Sequence, residues 1–338
     1  MSMRASKCAL PAARRKFVHC NAAAVLLCAL CVGCACAAED YPARPVRMMI
    51  PFPAGGPSDF VGRLIAQHLT DLWGKQIVVD NRAGASGIIG TEIAVRSNPD
   101  GYTLLFGTNS TFAVNLVLIK NLPYDVFRDL ALIGLVAEAP HILAVRDGFP
   151  AKNVKELIAI AKQQPGSYKF ASAGTGTIVH MGGELFKYHA GIDIVHVPYK
   201  GGTPATLSLL TGEVDMLVND LSTLLTHVKS GKVRAFAASH TQRLPPLPDT
   251  PTFAELGMPG VVSSTWWALA VPAKTPPAVR ARIIAAHNNV LARPEYVARL
   301  ADLAMQPLVL SPAQATAVIT REIEKWRKVA AAANIRAE

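Results

Sequence analysis

The chain has 338 residues, 51% of them hydrophobic and 17% charged, with a formal net charge of +10. A chain of this size buries enough surface to fold without disulfides. The basic residues form no stripe interleaved with aromatics, which excludes a nucleic-acid footprint, and no run beyond the leader described next has transmembrane length.

The first element is a leader. Arg14, Arg15 and Lys16 form a basic region, Ala22 to Gly33 an apolar one, and Ala35-Cys36-Ala37 a small-x-small cleavage signal. That pattern is a secretory signal peptide over 1–37. The Arg14-Arg15 pair also resembles a twin-arginine signal, and Cys34 a lipidation site, although the aliphatic residue usual three positions before such a cysteine is missing. All six cysteines lie in this leader, as do five uncompensated cations, so the mature chain is thiol-free at +5. An exported, periplasmic protein is expected.

Val46 to Ile50 reads as a strand, and Val61, Leu64, Ile65, Leu69 and Leu72 recur at the spacing of a buried helix face. Between them stands Pro51-Phe52-Pro53-Ala54-Gly55-Gly56-Pro57-Ser58-Asp59, a strand–glycine turn–helix unit. Such a turn brings free N–H groups and a helix dipole to one point, a ready anion site. Ser58 or Asp59 is expected to cap the helix.

Further strands are expected at Gln76 to Asp80 and Tyr102 to Gly107, with a helix between them. The succession implies a largely parallel sheet. Leu130 to Val145 is apolar but for Glu138, Pro140 and His141 and reads as a connection into a second domain, where the pattern restarts. Asn153 and Glu156 form a capping box. Tyr168 to Ala171 is a strand, followed by Gly174-Thr175-Gly176-Thr177 and a helix that begins with His180 in its first turn. Ile194 to Val197, Val214 to Val218 and Val233 to Ala237 supply more strands, with a helix from Thr203-Pro204 to Gly212. Ser263 to Val271 carries the chain back, and three helices, the last opened by the Ser311–Gln314 capping box, finish it on the first domain.

The motifs Tyr41-Pro42-Ala43-Arg44-Pro45, Pro51-Phe52-Pro53-Ala54-Gly55-Gly56, Val78-Val79-Asp80-Asn81-Arg82-Ala83-Gly84 and Pro99-Asp100-Gly101-Tyr102 occur in this order. They are followed by Gly174-Thr175-Gly176-Thr177, His196-Val197-Pro198-Tyr199-Lys200-Gly201 and Leu247-Pro248-Asp249-Thr250-Pro251. Together they resemble the substrate-binding proteins of tripartite tricarboxylate transporters, the Bug family. The resemblance implies a two-lobed type II periplasmic-binding-protein (clamshell) fold. The first lobe would comprise 38–137 and 264–338, and the second 138–263.

It further implies a monomeric receptor, without cofactor or metal, that binds a small carboxylate (a di- or tricarboxylate, an aromatic acid or an acidic amino acid) and hands it to separate membrane transporter subunits. The carboxylate would lie in a pincer of two loops, here Ala54, Gly55, Gly56, Ser58 and Asp59 against Gly174, Thr175, Gly176 and Thr177. Thr108, Asn109 and the loop from Tyr199 through Lys200, Gly201 and Gly202 to Thr203 would edge the cleft, and Asn219-Asp220 stands at a strand end facing it. His180 and Asp220 are further candidates, and Asp59 and Asp220 each read either as structural carboxylates or as partners for a ligand amino group. A rival reading is an exported α/β hydrolase with Ser58 or Thr177 as nucleophile and His180 as base. The chain carries no Gly-x-Ser-x-Gly elbow and no His-Glu-x-x-His motif in its support.

Overall fold

The computed structural model describes residues 41–333 and 335. The leader, including its cleavage site, lies outside them. From Arg44 onward the chain forms one compact unit, built as a ten-stranded mixed sheet clothed by helices.

One half of the sheet is laid down first. Strands β1 (Val46–Ile50), β2 (Ile77–Asn81) and β3 (Thr103–Thr108) run parallel with β1 in the middle. Helix α1 (Pro57–Trp73) follows β1 and buries Val61, Ile65 and Leu69, while Leu72 stays exposed. Helix α2 (Ile88–Val95) connects β2 to β3. After β3 the chain makes a π-helical turn at Ser110–Val114, runs into α3 (Asn115–Leu118), and reaches α4 (Val126–Asp129).

Strand β4 (Leu130–Arg146) is the expected connection, formed as a single strand of 17 residues. Its first part, Leu130 to Pro140, pairs antiparallel with β9 (Ser264–Pro272), and β9 pairs in turn with β3. From His141 onward β4 changes partners, to β7 (Met216–Asp220) and β8 (Val233–Ala238). This partner switch at Pro140/His141 divides the sheet into two halves and makes the molecule two-lobed.

The second half repeats the plan. Strands β5 (Lys169–Ser172), β6 (Val195–Pro198) and β7 are parallel, with β5 central. Between them lie α5 (Val154–Gln163), α6 (Ile178–Ala190), α7 (Gly202–Leu210) and α8 (Leu221–Lys229). Asn153 caps α5 by accepting from the Glu156 amide at 2.9 Å, but Glu156 returns its carboxylate to the Lys152 amide, one residue short of a reciprocal box.

Three helices close the chain: α9 (Pro277–Leu291), α10 (Pro294–Ala301) and α11 (Pro312–Ala332), with the short strand β10 (Gln306–Pro307) before the last. The Ser311–Gln314 box is complete. Helices α9 and α10 pack on α1 as expected. Helix α11 does not stay with the first lobe: it packs on the π-turn and α3 on one side and on α6 on the other. Trp326 is its fully buried anchor, donating Nε1–H to Glu322 at 2.8 Å.

Candidate functional site

The parallel strands of both lobes, β1 and β3 in one and β5, β6 and β7 in the other, point their C-terminal ends at the seam. Ligands of open α/β sheets bind beyond that edge. The loops there carry the candidate residues.

In the first jaw Gly55 takes a positive φ of 78°, which lets the backbone turn back on itself. Its amide donates to Asp59 Oδ2 at 3.0 Å, and Asp59 Oδ1 takes Arg63 Nε at 2.9 Å. Burial opposes ionisation of Asp59, but the bonds from Arg63 and the Gly55 amide outweigh it and hold its carboxyl below the ordinary value. Asp59 is thus committed to bracing the loop. The expected cap is absent: Gly56 is the N-cap residue without a side-chain bond, and Pro57 opens the helix. Ser58, also buried, accepts Trp267 Nε1–H at 2.9 Å. The amides of Gly56, Ser58 and Asp59 therefore have no acceptor among the described residues, as first-turn N–H groups lack intrahelical partners. Ala54 is exposed beside them.

The loop Gly174–Thr177 is more self-satisfied. The Gly174 amide donates to Ser172 Oγ at 3.1 Å, the Thr177 amide to the Gly174 carbonyl at 3.2 Å, and the Gly176 amide to His180 Nδ1 at 3.3 Å. Thr177 caps α6, accepting from the His180 amide and donating its hydroxyl to Gly174 at 2.7 Å. Gly174 and Gly176 both have positive φ, 130° and 77°. What remains free here is Thr175, with its amide and hydroxyl, and the Val179 amide.

Two contacts bring this loop against the opposite lobe. Ser110 Oγ accepts the Ile178 amide at 3.0 Å, so a residue of the first lobe caps a helix of the second. Ser86 Oγ donates to the Thr175 carbonyl. Ala85 and Ser86 hold φ of 46° and 51°, a left-handed pair without glycine. Backbone strain of that kind persists where surrounding contacts over-determine it.

His180 is a brace within the second lobe. Its ring stacks on His196 at 3.9 Å and lies parallel to Phe170. Burial, with the neighbouring His196 charge adding to it, lowers its pKa to about 3, and burial lowers that of His196 to about 4. Both rings are neutral at pH 7. Neither the Ser58 nor the Thr177 hydroxyl is hydrogen-bonded to the His180 ring among the described residues, Thr177 meeting only the His180 amide, so the nucleophile–base geometry of a hydrolase is not formed at either.

The loop after β6 contributes in a different way from that expected. The Tyr199 ring packs into the second lobe's apolar cluster, and burial, with Glu213 adding to it, holds its phenol above the ordinary value. Lys200 is exposed. Gly201, at φ 118°, is the N-cap of α7 and leaves the amides of Gly202 and Thr203 free. A Cβ placed on Gly202 would lie 4.0 Å from the Pro57 ring and 3.6 Å from Asn219 Nδ2. The starts of α1 and α7 therefore face each other across the seam, beside Asn219.

Thr108 and Asn109 end β3, both buried. Thr108 Oγ1 accepts the Ser110 amide at 3.1 Å, and Asn109 Nδ2 donates to the Ser264 carbonyl at 2.8 Å. Asp220, at the end of β7, pairs in register with His141, itself fully buried. Gly202, Thr203 and Asn219 were expected at the cleft edge, whereas sequence reasoning missed Ser110 and His141. Those two are brought to the seam only by closure and strand pairing. Among the described residues no group of His, Asp and Glu could hold a metal ion, and no helix is long and apolar enough to cross a membrane.

Residues 61–335 match the family model described as the tripartite tricarboxylate transporter family receptor. The chain is 37% identical over 293 residues to the protein BugT of Bordetella pertussis, covering 86% of this chain and 90% of that one. Among solved structures it is similar to R. palustris Rpa4515 with adipate, at 32% identity and a TM-score of 0.84, covering 88% of this chain and 99% of that one. It is also similar to MatC from Rhodopseudomonas palustris with bound malate, at 29% identity and a TM-score of 0.81, covering 86% and 99%.

Proposed function

This chain belongs to the tripartite tricarboxylate transporter receptor family, a family of periplasmic solute receptors with the two-lobed binding-protein fold, and on that premise we propose that it captures a small carboxylate for separate membrane subunits. The observation that carries the reading is the pair of opposed helix starts, α1 with three free amides and α7 with two, meeting beside Asn219. No lysine or arginine stands in either glycine loop, Ala54 to Asp59 or Gly174 to Thr177. The anion is met instead by helix starts, worth roughly 0.3–2 kcal/mol each, and by charge-assisted bonds of about 1.5–3 kcal/mol each.

Site residues in this proposal are Gly56, Ser58 and Asp59 through their amides, Thr175 through its amide and hydroxyl, and Gly202 and Thr203. Gly55, Gly174, Gly176, Thr177, Gly201 and His180 shape the loops. The adipate and malate of the two structural relatives support a di- or hydroxy-dicarboxylate-sized cargo. The lobes in this proposal are 38–137 with 264–338 and 138–263, and the receptor acts as a monomer without turnover. Native mass spectrometry of the gently purified exported protein, followed by calorimetry with the acid it releases, tests this. One-to-one binding with the acid recovered unchanged is expected, whereas chemical conversion of the acid would restore the hydrolase alternative.

A further inference from the structure

One peptide unit ties the second jaw to both lobes. The Thr175 carbonyl accepts the Ser86 hydroxyl of the first lobe, and the Gly176 amide of the same unit donates to His180 Nδ1 at 3.3 Å. In a trans peptide these two groups point in opposite directions, so whatever fixes the N–H also aims the carbonyl. Gly176, at φ 77°, permits that orientation, and a Cβ placed on it would lie 3.6 Å from Ser86 Oγ.

The ring that receives the amide is committed to one protonation state. Accepting at Nδ1 leaves the single proton of the neutral imidazole on Nε2, whereas a protonated ring carries hydrogen on both nitrogens and meets the Gly176 N–H with a second donor. His180 is 4% exposed. Phe170 of β5 lies parallel to its ring, and His196 of β6 stacks on it at 3.9 Å. Within α6, Glu184 Oε1 stands 3.8 Å from Nε2, and Lys187 pairs with Asp193 at 3.5 Å. Glu184 is buried, which raises its pKa. Further along the helix, His141 with Asp220 stands against Gly182, and Arg321, Glu324, Lys325 and Lys328 of α11 line a recess beside Tyr188 and His189.

We propose that His180 is the positioning residue of a latch between the lobes: its neutral ring turns the Thr175 carbonyl toward Ser86, and its protonation releases that peptide and weakens the closed state that holds the cargo. The ring gains one proton at Nδ1, the Gly176 N–H loses its acceptor, and rotation of the peptide takes the carbonyl away from Ser86. Burial, with the His196 charge adding to it, holds the latched ring at about 3, while a ring reached by water titrates near 6.5. The unlatched state therefore binds more protons, so the latch is intact above pH 6.5 and weakens as the pH falls. The effect on cargo rests on the receptor reading above, but the latch itself can be tested without any cargo.

Imidazole nitrogen shifts and amide exchange, measured by NMR on the unaltered, ligand-free protein at pH 7, read the latch. An Nε2–H tautomer at His180 and a protected Gly176 amide are expected; an Nδ1–H tautomer, or a Gly176 amide that exchanges freely, overturns the proposal. Calorimetry at pH 7 and pH 5, with the acid released from the purified protein, reads the consequence. His180→Asn keeps an acceptor oxygen near the Nδ1 position but cannot titrate, and His180→Leu keeps neither property. On acidification the unaltered protein is expected to lose roughly threefold to thirtyfold more affinity than His180→Asn, the upper figure being the linkage limit for these two pKa values. Protonation of the acid itself is common to both and cancels. At pH 7 His180→Leu is expected to bind more weakly than His180→Asn. Equal acid losses in the unaltered protein and His180→Asn overturn the proposal, as does equal affinity of the two variants. Ser86→Ala removes the latch from the other lobe and is expected to suppress the extra acid loss, which keeps the binding test decisive if the His180 variants do not fold. Should no acid bind at all, the receptor reading fails, and the tautomer and the Gly176 amide alone decide the latch.

Discussion

Ser110 offers a test of closure that leaves each lobe intact. Its hydroxyl accepts the first amide of α6 from across the seam at 3.0 Å, while its own amide is held within the first lobe by Thr108. Ser110→Ala removes the first bond and cannot touch the second. Loss of a helix cap costs about 0.5–2 kcal/mol. Because this acceptor exists for Ile178 only when the lobes meet, the cost falls on the closed state alone. A ligand that requires the closed state then loses affinity by the same amount, roughly twofold to thirtyfold. Calorimetry with the released acid should show that loss, and scanning calorimetry of the ligand-free protein should show a melting temperature within about 1–2 °C of the parent, as expected for a change that spares the open state. Unchanged affinity together with a lowered melting temperature would refute the reasoning, because Ser110 would then be serving the fold of one lobe.

Other outcomes follow from the same geometry. Gly176→Val forces a branched residue into φ 77° next to Ser86 and Leu118 of the other lobe, and Gly55→Val into φ 78° at the first jaw; each should abolish measurable carboxylate binding in calorimetry, whereas exposed Lys200→Ala should change affinity less than about threefold, as for a screened surface charge. Small-angle scattering with and without saturating ligand should show compaction about the β4/β9 crossing, and an invariant radius would remove that crossing as the hinge. His180 and His196 hold pKa values near 3 and 4, below the usual 6.5, because they are buried; the unfolded chain then binds more protons, so stability is full above pH 6.5 and falls as the pH drops toward 4. Urea midpoints measured between pH 7 and pH 4.5 should decline, and a flat profile would show that these rings are solvated. The intact mass of the exported protein should match cleavage after Ala37, and a diacylglyceryl adduct on Cys34 would instead place it on a membrane anchor.

Much of the architecture could be read from the chain because it is written in local terms. Val46 to Ile50 followed by glycines and a three-to-four apolar spacing allows little besides a strand, a turn and a helix, and the Ser311–Gln314 box appears as the motif states. The same logic failed at Ser58 and Asp59. Both side chains are capping residues by type, yet a proline at the first helical position moved the cap to Gly56, and more distant partners, Trp267 and Arg63, claimed them. The π-turn at Ser110–Val114 left no signal, since an i-to-i+5 bond has no apolar period, whereas helix α8 went unread although Leu221, Leu224, Leu225 and Val228 repeat at helical spacing. The site was legible as loops but not as atoms. Nothing in Gly174-Thr175-Gly176-Thr177 reveals that most of its amides are spent on Ser172, Gly174 and His180, and nothing in Gly202 reveals Pro57 opposite it. His141 was an apolar stretch's single imidazole until register set it beside Asp220.

The crossing between the lobes is made of paired strands rather than a linker, and this bears on how the molecule resists proteolysis. A flexible connector exposes peptide groups that an extended protease active site can accept as one more strand. In β4 and β9 those groups are already spent on each other from Leu130 to Pro140, and beyond His141 the same strand is flanked on both sides by β7 and β8. The stretch expected to act as the hinge is therefore paired along β9, with β10 on its other edge at Ala137 and Glu138. Nicking should begin at loop tips such as Arg243 to Asp249, and a receptor cut there would keep both strands of its pivot.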